Sequence, residues 1–323
     1  MAISRRTLLR ASSAGALAAG AGTAVGVTSA VGGAEAAPTA RAGGLPSTID
    51  LDEPRYLGYK PADLAKPYAK YMRSSTLPAQ QQVVDAYFGD PVPSDRIPTF
   101  DRLAADLNRA DHSPVETGYG TLPDGRTVWA AALTRMPGVT AAMWDWWFGW
   151  HSGESARYRL WHPDAHAYAG LLRDTTTAPG LTDRQRYIGN TSYVDEFIGG
   201  QLEQLAISFL DPAGAGLRTS DTTTVVYGRV ASAQLPIALG YLAHQVRPVA
   251  GGAEMRSRFY LNIPGLTSVD ALAALAAHNR GEGPALAQPL PFTAEFGRSL
   301  MEHCGREMNH LASFLPALYA DYH

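Results

Sequence analysis

The chain has 323 residues, 46% hydrophobic and 18% charged, with a formal net charge of −3 and one cysteine. That length suits one large domain or a core domain with an appendage. The mild acidity offers nucleic acid no basic footprint, and Cys304 alone excludes an intramolecular disulfide.

The first residues, Ser4-Arg5-Arg6-Thr7-Leu8-Leu9-Arg10, put an arginine pair before an Ala/Gly/Val-rich stretch, and Ala34-Glu35-Ala36 follows as an A-x-A cleavage site. Residues 1–36 therefore read as a twin-arginine export signal, giving an extracytoplasmic protein. Removing the segment's three arginines and one glutamate takes the net charge from −3 to −5. Its Gly/Ala content argues against a stable membrane anchor, and no later stretch is long and apolar enough to span a bilayer. Residues 37–47 read as a flexible spacer.

Residues 48–112 are punctuated by proline, with short helical patterns at 61–66, 79–88 and 99–109, and read as an N-terminal helical subdomain. Residues 113–323 are the main domain. Its first signal is a pair of strands from 117 to 134 around Asp124-Gly125. A helix over 140–151 follows, with Thr140 as N-cap. Next come a short strand at 158–161, a loop or short helix at 163–172, and an extended or mixed stretch at 191–210. Strands are predicted at 222–232, 238–249 and 254–263, then a helix at 269–278. A long helix over 292–322, kinked at Pro316, ends the chain. The class is α+β: a curved antiparallel sheet closed by a long C-terminal helix.

Residues 143–170 hold five of the six Trp and three of the nine His. Large apolar walls and acid/base groups in one segment are what a small-molecule pocket needs, although buried Trp residues more often simply pack. On the last helix, His303 and Glu307 are four apart and share a face, so they can grip one cation together. Phe296, Leu300, Cys304, Met308, Leu311 and Leu315 mark the buried stripe beside them. Such a pair alone is weak, because a solvated pair looks the same. Nitrogen and oxygen ligands in a tetrahedral set suit zinc best.

Five ordered strings carry a resemblance: Trp144-Asp-Trp-Trp-Phe-Gly-Trp-His, Arg157-Tyr-Arg-Leu-Trp-His-Pro-Asp-Ala-His, Ser192-Tyr-Val-Asp-Glu-Phe-Ile-Gly, Glu254-Met-Arg-Ser-Arg-Phe-Tyr-Leu and His303-Cys-Gly-Arg-Glu. Over residues 136–322 the sequence resembles the diacetylphloroglucinol and phloretin hydrolase family. The resemblance implies a zinc-dependent hydrolase that cuts the carbon–carbon bond between an acyl group and a phenolic ring. It also implies a helix-grip fold like that of START and birch-allergen proteins, and an N-terminal segment that makes homodimer contacts. Its two-His, two-Glu set for Zn2+ falls on His166, Glu196, His303 and Glu307. His162 stands as the alternative to His166, which is preferred because Tyr158 then takes the place of a family tyrosine that binds a substrate hydroxyl.

Tyr260 is the matching tyrosine on the opposite strand. A family asparagine near the first histidine is replaced by Ala169, which implies a different phenol. His151 and Glu154 either line the entrance or protonate the leaving ring, with Glu154 the candidate catalytic carboxylate and structural hydrogen bonding the competing role for His151; Trp147 and Trp150 are assigned to the substrate walls. Structural roles compete for the rest: Asp195 and His310 as outer or exposed groups, Arg256 and Arg258 as a framework ion pair. Two other functions stay open, a non-catalytic carrier of a hydrophobic ligand and a zinc esterase or amidase; metal content and a substrate panel separate them from the phenolic-ketone hydrolase.

Overall fold

The computed structural model describes residues 44–234, 237–263 and 292–323. Residues 46–323 form one compact unit around an eight-stranded antiparallel sheet: β1 (Gly118–Thr121), β2 (Val128–Pro137), β3 (His166–Leu171), β4 (Thr191–Ile198), β5 (Gln201–Leu210), β6 (Thr224–Ser232), β7 (Ala238–Val249) and β8 (Gly252–Leu261). Their order is β1-β2-β8-β7-β6-β5-β4-β3. The β1–β2 turn is built as its sequence requires: Gly125 takes φ +66°, and the Asp124 carboxylate accepts the Arg126 and Thr127 N–H groups at 2.9 Å each. The stretch from 191 to 210 is the β4–β5 hairpin, turned by Gly199 and Gly200 at φ 57° and 83°.

Seven α-helices are present among the described residues: α1 (Gln81–Phe88), α2 (Leu103–Leu107), α3 (Ala141–His151), α4 (Ser155–Trp161), α5 (Asp183–Tyr187), α6 (Ala294–Ala312) and α7 (Leu315–Tyr322). Helix α3 starts at Thr140, whose side chain accepts the Met143 N–H at 3.3 Å. It is apolar on nearly every side, as befits a helix enclosed by the core. Helices α3 and α4 link β2 to β3 and, with α6, pack on one face of the sheet around a large core cluster. Helix α6 sits close because two glycines let it: a Cβ on Gly297 would lie 2.9 Å from Val128, and one on Gly305 2.8 Å from Val83 of α1. The sheet gripping a long C-terminal helix makes this a helix-grip protein of the α+β class.

Three predicted elements need correction. Residues 158–161 are helix α4, not a strand. The Arg157 and Tyr158 N–H groups donate to Glu154 O at 3.0 and 3.1 Å and start a helical turn, and because almost every side chain of α4 is buried, the run carries no solvent-facing period to reveal the helix. Residues 166–171 within the predicted loop are strand β3. Its free edge is covered by the chain near Thr48, whose N–H donates to Leu171 O at 3.0 Å, so both faces are buried and no alternation shows. The C-terminal helix is broken rather than kinked: it ends near Ser313, and Pro316 falls in the first turn of α7, where its missing N–H costs nothing. The predicted helix at 269–278, like the export segment 1–36, lies outside the described residues.

The other face of the sheet carries a second cluster that includes Leu103, Leu107, Trp129, Tyr227 and Tyr260. Beside it, Arg256 and Arg258 are fully buried and bind Glu116 at 2.8 and 2.7 Å, while Arg258 also binds Asp106 at 2.8 Å. They are framework ion pairs: the bond to Asp106 fastens the helical segment 48–112 onto β8 while Glu116 braces both arginines from the main domain, and that segment belongs to the same compact unit as the sheet. Among the described residues no helix is long and apolar enough to cross a membrane.

Candidate metal and substrate site

Four side chains from three elements converge on the buried face of α6, along its middle turns. His166 and Glu196 are paired across β3 and β4, next to a bulge between His166 and Tyr168. One turn of α6 supplies His303 and Glu307. The His166 Nε2 lies 3.4 Å from Glu196 Oε2 and 3.3 Å from Glu307 Oε2; His303 Nε2 lies 3.6 and 3.8 Å from the same oxygens. Ligand atoms of His166, Glu196 and His303 fall within 4.8 Å of one another, and all four residues are at most 9% exposed.

The surroundings fix which atoms face inward. His166 Nδ1 pairs with Tyr158 O at 3.0 Å, so Nδ1 carries a proton and Nε2 is the atom that faces the carboxylates. That Nε2 is buried without a hydrogen-bond partner. A buried nitrogen left unmatched between two carboxylates is costly, and two imidazoles with two carboxylates are a donor set that a divalent cation satisfies. The residues therefore fit a metal.

Electrostatics reflect the crowding. Burial opposes a charged His166, yet the Glu196 and Glu307 carboxylates outweigh it and push its pKa up to about 9. Burial also works against the Glu196 anion, but the two histidines hold it well below the usual range. Glu307 is raised, chiefly by burial, with the Glu196 charge adding to it. Tyr158 donates its O–H to Glu196 Oε2 at 2.6 Å, and burial followed by the carboxylate keeps that phenol protonated.

A mostly apolar cavity opens from this cluster, walled by α3, α4, α6 and strands β4, β5, β7 and β8. Tyr158 and His151 line it, as the sequence suggests. Burial lowers the His151 pKa to about 3, so its ring is neutral; Nδ1 is taken by Trp147 O at 2.7 Å.

Other assigned residues lie elsewhere. Tyr260 points to the opposite face of the sheet and donates to Pro98 O at 2.9 Å; strand alternation puts its neighbour Phe259 in the cavity instead. Glu154 precedes α4 and pairs with Lys66 and Arg157, away from the cavity. Trp147 is a core residue stacked on His151 at 4.6 Å. Trp150 stacks on Trp146 and Tyr322 in an outer groove.

Among the alternatives, His162 bonds Thr76 Oγ1 at 2.8 Å and stacks on His303 at 4.7 Å without entering the cluster. His310 accepts the Leu77 N–H at 3.2 Å. Asp195 is buried on the reverse of β4 and pairs with Arg55. Cavity residues that the sequence reading missed include Phe148, Ser152, Trp161, Ser192 and His244. Strand alternation from Glu196 back to Ser192 was the available signal for that serine.

An antiparallel sheet wrapped on a long helix, with two histidines and two carboxylates facing an internal cavity, defines a helix-grip protein with an interior reaction or binding chamber. Residues 97–320 match the family model described as the DAPG hydrolase PhiG domain. The chain belongs to that family and is a hydrolase. It is 31% identical over 273 residues to the 2,4-diacetylphloroglucinol hydrolase of Pseudomonas protegens, covering 80% of this chain and 85% of that one. It is 28% identical over 262 residues to the phloretin hydrolase of Eubacterium ramulus, covering 79% and 89%. Among solved structures, protein Ms6760 from Mycobacterium smegmatis aligns with 10% identity and a TM-score of 0.32, over 62% of this chain and 98% of that one.

Proposed function

We propose that the protein hydrolyses the carbon–carbon bond between an acyl group and a phenolic ring, with a divalent cation, best matched by zinc, held by His166, Glu196, His303 and Glu307. The observation that carries this reading is the buried, unpartnered His166 Nε2 set between two carboxylates at the head of an apolar cavity. The named activities of the relatives, on 2,4-diacetylphloroglucinol and phloretin, support the substrate class.

When bound, the cation supplies Lewis acidity toward a carbonyl oxygen and toward water. The net reaction adds water across the bond: hydroxyl to the acyl carbon, hydrogen to the ring carbon. The residues do the rest. His166 is held in one tautomer by Tyr158 O, and Tyr158 offers a protonated hydroxyl beside the cluster, able to hold a ring or carbonyl oxygen while the ring becomes a leaving group. Phe148, Phe209 and Phe259 hold the aromatic ring and keep bulk water out.

The test is elemental analysis of purified protein followed by incubation with acylphloroglucinols. About one zinc per chain and release of the free acid with the deacylated phenol are expected. A metal-free protein that binds these phenols unchanged would make it a carrier.

A further inference from the structure

Along β4, side chains alternate strictly: Tyr193 and Asp195 face the reverse of the sheet, Ser192, Val194 and Glu196 the cavity. Ser192 stands four residues from Glu196, about 13 Å along the strand. It is 2% exposed, and its Oγ has no hydrogen-bond partner. Its cross-strand partner Ile207 is apolar, and although the cavity wall also holds Ser152 and His244, no wall group hydrogen-bonds the hydroxyl. A buried, unpaired hydroxyl destabilises a fold; alanine would pack there without that penalty. Two other buried groups nearby also lack partners: Trp161 Nε1 in the cavity wall and His166 Nε2, which faces the proposed cation position. Ser192 faces the other end.

We infer that Ser192 is a specificity-determining residue that hydrogen-bonds the ring hydroxyl para to the acyl group, so the preferred substrates are acylphenols bearing that hydroxyl. This rests on the proposed function for the direction in which the substrate lies. With the acyl carbonyl at the metal cluster, an ortho hydroxyl stays near Tyr158. A para hydroxyl projects along the axis of the molecule, and a hydrogen bond at that end with a metal contact at the other fills the span between Glu196 and Ser192. Serine can both donate and accept, which suits a phenol in either protonation state.

The test compares wild type with Ser192→Ala, zinc-loaded, against monoacetylphloroglucinol and against the dihydroxyacetophenone whose hydroxyls are both ortho. Dissociation constants come from quenching of the tryptophans around the cavity, and turnover is followed in parallel. Ser192→Ala is expected to weaken monoacetylphloroglucinol about tenfold, the loss of one buried hydrogen bond, and to leave the ortho-only analogue unchanged. Bound zinc should be unaltered, and the ligand-free variant should melt at or above wild type. Equal effects on both ligands, no effect on either, no binding of either, or a lowered melting temperature without ligand would overturn the inference. Selective weakening of binding without turnover of either compound would keep the hydroxyl subsite and remove the hydrolase reading; turnover with no selectivity would do the reverse.

Discussion

Replacing Glu307 with Gln keeps the side chain's size and removes one of two like charges from a buried place. In the metal-free protein, Glu196 and Glu307 present their Oε2 atoms 3.4 and 3.3 Å from the same His166 nitrogen, and burial with the Glu196 charge already raises the Glu307 pKa. The metal-free variant should therefore be at least as stable as wild type. With metal the sign reverses, because one of four donors is weakened. Loss of an outer partner of a metal ligand costs about 10- to 100-fold in affinity, and loss of a donor costs no less. At fixed zinc that removes about 1.4–2.8 kcal/mol of ligand-linked stability, or about 3–6 °C at about 2 °C per kcal/mol for a domain of this size. Thermal melts with and without zinc, paired with elemental analysis, read this directly, and His162→Ala is the control that should keep the full zinc-induced shift. A Glu307→Gln protein that shows the wild-type shift and full metal would refute the four-donor site. One that melts several degrees lower without metal would show the carboxylate to be structural.

Tyr158→Phe should lower turnover of acylphloroglucinols by about one to two orders of magnitude with zinc retained near one per chain, whereas Tyr260→Phe should change kinetics little and cost about 1 kcal/mol in a denaturant titration for its bond to Pro98 O. The Glu116 carboxylate, despite burial, is held down to about 2 by Arg258 and Arg256; because this is below its ordinary 4.5, the stabilisation is present above about pH 4.5 and fades as pH falls toward 2. Glu116→Gln should flatten that part of an acid unfolding curve, and at neutral pH should destabilise the fold by about 3–5 kcal/mol, having left two buried arginines short of a partner. Export through the twin-arginine route is expected to leave mature protein without residues 1–36, and Arg5→Lys with Arg6→Lys should hold the precursor inside, as fractionation and N-terminal sequencing will show.

Where side chains alternate against solvent or a turn has obligatory chemistry, the chain was legible: the Asp124-Gly125 hairpin, Thr140 capping α3, and the apolar stripe of α6 all stand where their residues place them. Helix α4 and strand β3 were not, since burial on all sides removes the contrast between faces that periodicity measures. Nor could periodicity check the place that the resemblance implied for Tyr260. Phe259 and Tyr260 are both buried, on opposite faces of β8, and only the pairing of β8 between β2 and β7 decides which one meets the cavity. His303 and Glu307 were readable as a helical pair; that His166 and Glu196 join them is a fact of strand register.

That register has a kinetic side. The cluster draws on residues 166, 196, 303 and 307, so a cation held by all four would close a loop of well over a hundred residues. Of the four, only His303 and Glu307 are brought together by a single local element. Long-range closure of this kind is slow and entropically expensive, and a weak pair on a lone helix competes poorly for metal. If the proposed cation binds there, its affinity requires both the β3–β4 pairing and the docking of α6, so metal uptake would follow folding and mark chains whose topology is finished.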